Sequence, residues 1–112
     1  MENSYDTQVI LLKEKVLNGP GTTESALRQV IEAYSASHSG RRDTPIGEVP
    51  EVLRTYLEKV VRHAYKVTEE DVQRLSQAGY SEEAIFEITI SAALGAGLGR
   101  LEQGLAALQG GE

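Results

Sequence analysis

The chain has 112 residues, a formal net charge of -6, and no cysteine. It is long enough for one buried core and too short for two, so we read residues 1–112 as a single domain. The missing thiol excludes disulfide scaffolds, CxxC redox pairs, thiolate metal sites and cysteine nucleophiles. Two histidines, His38 and His63, are too few for a His-rich metal centre, so no metal and no cofactor is expected. The charge is lopsided: residues 1–66 carry nine acids and nine bases, whereas residues 67–112 carry eight acids and only Arg74 and Arg100. Such a surface repels phosphate, which argues against nucleic acid and against anionic membranes as partners. The longest apolar run, Ile88 to Leu98, falls short of the ~20 residues of a membrane span, and no leader pattern opens the chain. The expectation is a cytoplasmic protein.

Five helices and no strand are expected. The first covers Asp6 to Leu17, with Val9, Ile10, Leu12, Val16 and Leu17 as its apolar residues; Val9 to Leu12 is the one place a short strand would fit. Asn18-Gly19-Pro20-Gly21 stops it. The second begins after Thr22 or Thr23 as N-cap and carries Ala26, Leu27, Val30, Ile31 and Tyr34 on one face. It runs out into a polar loop from Ser35 to Pro45, the expected mobile segment, in which His38 has no assigned role.

The third helix has the clearest pattern. Pro50 suits its first position, and Val49, Val52, Leu53, Tyr56, Leu57, Val60, Val61, Ala64 and Tyr65 recur at helical spacing. Thr68-Glu69-Glu70-Asp71 reads as a capping box opening a short fourth helix, with Val72, Leu75 and Ala78 inward and Gly79 as a left-handed C′ residue. Ser81 then caps a fifth helix whose first turn holds Glu82 and Glu83. From Ala84 to Leu98 that helix is apolar nearly all round, which predicts burial on every side. Gly95, Gly97 and Gly99 predict a kink or a very close neighbour, through Ala92, Gly95, Ala96 and Gly99. An amphipathic tail with Leu101, Leu105 and Leu108 follows and frays at Gly110-Gly111.

Few residues suggest chemistry. Gly95-Ala96-Gly97-Leu98-Gly99-Arg100 has neither the spacing nor the preceding strand of a phosphate loop. His63, with the carboxylates of Glu58, Glu69, Glu70 and Asp71 near it in sequence, could form an acid–base pair, although a cation favoured at a helix C-terminus is the simpler reading of His63. The acids at Glu69–Asp71 and Glu82-Glu83 fit capping rather than a metal site.

The stretch Ala64-Tyr65-Lys66-Val67-Thr68-Glu69-Glu70-Asp71, then Ala78-Gly79-Tyr80-Ser81-Glu82-Glu83-Ala84-Ile85-Phe86-Glu87-Ile88, resembles the AhpD-like, or carboxymuconolactone decarboxylase-like, superfamily. The resemblance covers roughly residues 50–108, with residues 1–49 contributing helices and the polar loop. It implies an all-α AhpD-like bundle of about five helices around a buried, glycine-kinked central helix, and assembly into homotrimers or homohexamers. The peroxidase members carry C-x-x-C-x-x-x-H. In register with Gly79, those positions fall on Ala64, Val67 and Asp71, and the upstream acid falls on Val52, next to Glu51. Peroxide reduction needs a thiolate, so the resemblance implies the fold without that activity. The leading expectation is a homo-oligomeric binding or structural protein. The alternative is a non-redox enzyme of the decarboxylase-like branch, acting on a small organic acid or lactone with His63, Asp71 and Tyr65 as catalytic groups. Its anionic substrate would need Arg62, Lys66 and Arg100 in the pocket.

Overall fold

A computed structural model describes residues 4–42 and 47–109. The expectations for Asp43 to Pro45 and for Gly110-Gly111 lie outside those residues. The described chain is all-helical: α1 (Ser4–Asn18), α2 (Ser25–Ser37), α3 (Glu51–Arg62), a single 3-10 turn (Ala64–Lys66), α4 (Glu69–Gln77) and α5 (Glu82–Leu108). Val9 to Leu12 is helix, not strand.

The core follows the strongest periodicities. Leu53, Tyr56 and Leu57 of α3 pack with Ile31 of α2, Leu75 of α4 and Ile85, Ile88 and Ala92 of α5. The Tyr56 hydroxyl stands 2.6 Å from Thr89 Oγ1, which itself donates to the Ile85 carbonyl, so the phenol donates to Thr89 and ties α3 to α5. Arg100 reaches from α5 to the Val61 carbonyl at 2.7 Å and satisfies an acceptor in the last turn of α3.

The segment from the start of α4 into α5 is built as its residues dictate. Thr68 and Asp71 form a reciprocal capping box, Gly79 adopts φ +106°, and Ser81 Oγ accepts from the Ala84 N–H at 3.1 Å. Two boundaries differ from expectation. Pro50 is the N-cap of α3, not its first helical residue. Glu24, not a threonine, occupies the N-cap of α2. The reason is a competing acceptor: the N–H groups of Thr22 and Thr23 and the Thr23 hydroxyl all donate to the Glu87 carboxylate, at 2.7, 2.7 and 2.6 Å.

The dominant contact is between α2 and α5. A Cβ on Gly95 would collide with the Glu32 carbonyl oxygen, and one on Gly99 would stand 2.6 Å from that of Ala36. The offset between the paired residues is the same in both cases, so the two helices run parallel. Only residues without side-chain bulk allow backbones this close. The close neighbour expected at Ala92, Gly95, Ala96 and Gly99 is therefore α2, and all four are buried. Gly97 points the other way and has no neighbour within 4 Å.

The same contact buries a second face of α2. Besides Ile31, the residues Arg28, Glu32, Ser35 and Ala36 are buried. Arg28 donates to the Val16 and Thr23 carbonyls at 2.8 and 3.2 Å, holding the end of α1. Arg41 grips Glu32 with Nη1 and Nη2 at 2.9 and 2.8 Å, and Glu102 of α5 with Nε and Nη2 at 2.9 and 2.8 Å. Glu32 is only 3 % exposed, so its charge depends on that guanidinium. Replacing Arg41 by Met should destabilise the fold by about 3–5 kcal/mol, because a buried carboxylate is left unpaired, whereas the double variant Arg41→Met with Glu32→Met should recover much of the loss. Urea unfolding of the two variants beside the parent checks this.

Candidate functional site

The residues singled out by sequence do not converge on one cleft. α3 ends at Arg62, three residues before the end of its apolar pattern. The Thr68 capping box fixes the start of α4 and leaves only five residues to reverse the chain, which does so through His63 and the 3-10 turn. Ala64 and Tyr65, expected on the apolar face, are therefore exposed, Tyr65 to 81 %. His63 is exposed as the C-cap of α3, and its ring meets that of Tyr65 edge-on at 5.9 Å. The Lys66 ammonium stands 6.0 Å from the centre of the Tyr65 ring.

Asp71 is buried and fully engaged. Its carboxylate accepts from the Thr68 N–H at 2.9 Å and from the Lys59 ammonium at 2.9 Å through each oxygen, with Arg74 at 3.6 Å. The Thr68 N–H and the Lys59 ammonium hold this carboxyl below the usual range, against the opposing effect of burial. Such a group is a committed anion, pinning α4 to α3, rather than a poised proton carrier. His63 and Asp71 are not hydrogen-bonded to one another. Of the bases named for a pocket, Arg100 caps α3, and Arg62 turns to His38, its Nη2 lying 3.3 Å from Nδ1.

That last contact belongs to a site the sequence did not disclose. Tyr34 and His38 sit four residues apart at the end of α2, with ring centroids 4.4 Å apart. Together with Gly47, Val49, Arg54 and Glu58 they line a groove of about 400 Å³ between α2 and α3. Burial, then the Glu58 carboxylate, push the Tyr34 phenol above its ordinary value, against Arg54 and Arg62. The i,i+4 spacing of Tyr34 and His38 was the available signal, masked by the polar residues around His38. Among the described residues, no group of three or more His, Asp or Glu could hold a metal ion.

The largest departure from expectation is the surface of α5. Phe86 is 66 % exposed and Ile90 39 %, although burial on every side was expected. The other helices cover only one side of α5, so its outward side meets water. Leu101, Leu105 and Leu108 extend the exposed apolar surface, and Ile10, Leu11 and Leu12 of α1 form another. By length and composition α5 is also sufficient to cross a membrane, but half of its most apolar window is buried inside the protein. No protein-family model, no curated protein and no solved structure matches this chain.

The charge sites yield a pH prediction. Burial raises the Glu87 carboxyl, but the Thr23 hydroxyl and the N–H groups of Thr23 and Thr22 outweigh it, so Glu87 too lies below its ordinary value. A carboxyl depressed in the folded state stabilises the fold above its unfolded pKa, and that contribution disappears as pH falls through the folded value. Asp71→Asn and Glu87→Gln should both lower the urea midpoint at pH 7, and the gap to the parent should narrow progressively as pH falls below about 4. Unfolding curves at pH 7 and pH 3 provide the check.

Proposed function

We propose that this chain is a homo-oligomeric helical protein of AhpD-like architecture that works by binding, without thiol peroxidase chemistry. The observation carrying this reading is the uncovered apolar surface of α5, with Phe86, Ile90, Leu101, Leu105 and Leu108 all exposed on one long helix. Isolated exposed apolar residues are ordinary; a row of them along one element is characteristic of an interaction surface. The connection through Thr68, Gly79 and Ser81 into a long alanine-rich helix supports the AhpD-like part of the reading. The positions that would carry thiols hold Ala64 and Val67, and the one that would carry histidine holds Asp71, a carboxylate already committed to Lys59.

Light scattering over a micromolar concentration series is the test. The expected mass is a multiple of 12.2 kDa that falls on dilution. A constant mass of 12.2 kDa throughout that range would contradict the proposal.

A further inference from the structure

The outward face of α5 has an internal symmetry that identifies what fits it. At the 3.6-residue repeat of an α-helix, Phe86, Ile90, Ala93, Gly97, Leu101, Gly104 and Leu108 fall within an arc of about 80°. All seven are exposed, and the buried residues Ala92, Gly95, Ala96 and Gly99 lie outside it. The pattern is two-fold about Gly97. Ala93 and Leu101 lie four residues to either side, Ile90 and Gly104 seven, Phe86 and Leu108 eleven. In two such helices laid antiparallel, Leu101 meets Ala93, Ile90 meets Gly104, and Phe86 meets Leu108. Large side chains thus face small ones at the inner layers, the interdigitation that close helix packing requires. At the centre Gly97 would face Gly97, and neither it nor Gly104 has a neighbour within 4 Å in the single chain.

Charge selects the same arrangement. No charged side chain lies on the stripe between Phe86 and Leu108. The nearest acids are Glu83, in the first turn of α5, and Glu87, whose carboxylate is held by Thr22 and Thr23. A parallel pair would place these acids side by side in a chain of net charge -6. An antiparallel pair separates them by most of the helix and also opposes the helix dipoles. Length suits such a pairing too: from Phe86 to Leu108 the stripe runs about 33 Å, roughly six turns of helix over which a second α5 can lie.

We infer that the occupant of this face is a second copy of the chain, its α5 antiparallel to the first about a two-fold axis at Gly97. The inference rests on the self-association proposed above and names the surface and direction of pairing.

The absence of native cysteine makes the test clean. Three variants are needed, Gly97→Cys, Phe86→Cys and Leu108→Cys, each oxidised mildly at micromolar concentration, with Phe86→Cys also mixed with Leu108→Cys. Light scattering of the parent chain and circular dichroism of each variant accompany them. The expected result is that most Gly97→Cys becomes a disulfide dimer at twice the 12.2 kDa chain mass. The mixture should give the mixed Phe86→Cys/Leu108→Cys dimer, while each of those two variants alone gives little. A multimeric parent whose folded variants fail to cross-link at position 97, or cross-link Phe86→Cys to itself, would overturn the inference and leave the proposed function standing. A parent that stays monomeric in buffer, including one that binds lipid vesicles as a monomer, would overturn both.

Discussion

The backbone contact between α2 and α5 at Gly95 and Gly99 governs the structure. Helices that approach to where a Cβ would strike a carbonyl oxygen have no freedom to slide or rotate. That contact fixes α2 parallel to α5 and puts Glu32 and Ala36 against glycine rather than against side chains. The rest of the seam is then filled by small or strongly bonded groups. Ser35 and Ser91 are fully buried, and their hydroxyls have no hydrogen-bond partner, so their place in the seam is owed to size. At one end Glu87 holds the Thr22-Thr23 loop; at the other Arg41 bridges Glu32 to Glu102.

A parallel pair cannot be closed by a short turn. The chain must return before α5 begins, and α3 and α4 make that return across the flank of the pair. They bring the apolar row Leu53, Tyr56 and Leu57 over Ile31 and Ile88 and complete the core. With α2, α3 and α4 gathered on one side, the opposite side of α5 remains bare. The exposed stripe from Phe86 to Leu108 is thus a consequence of the internal packing, and it is the face on which we propose that a second copy docks. The acid–base residues sit at the margin of this arrangement. Asp71 spends its charge on joining α4 to α3, and His63 and Tyr65 stand on the turn between those helices.

Much of the fold was legible because local signals and burial agreed. α3 is legible in its apolar rows, the capping box marks the start of α4, and Gly79 and Ser81 mark the α4–α5 connection to the residue. The misread parts are those where a distant partner overrode a local rule. Thr23 looks like an N-cap, but the Glu87 carboxylate, 64 residues away, takes its hydroxyl and N–H. Ala64 and Tyr65 continue a helical pattern that the nearby capping box interrupts. Arg28 and Glu32 are charged residues outside the expected apolar face of α2, and both are buried because the glycines of α5 draw that side in. The apolar α5 was read as buried all round because composition shows how apolar a helix is, not how many neighbours it has. The groove at Tyr34 and His38 needs Arg54 and Glu58 from another helix, and the i,i+4 spacing of the two rings shows only its α2 side.

One comparison tests the governing contact most directly: the unfolding free energies of Gly95→Ala and Gly97→Ala, measured by urea on protein dilute enough to be monomeric. Both substitutions replace glycine within the same helix, and intrinsic propensity alone would favour each by up to about 1 kcal/mol. Gly97 has open space around it, so Gly97→Ala should be more stable than the parent by up to that amount. At Gly95 the added methyl meets the Glu32 carbonyl, so Gly95→Ala should be less stable by about 1–3 kcal/mol. Equal gains for the two variants would contradict the account, because they would mean that α2 and α5 are not in backbone contact.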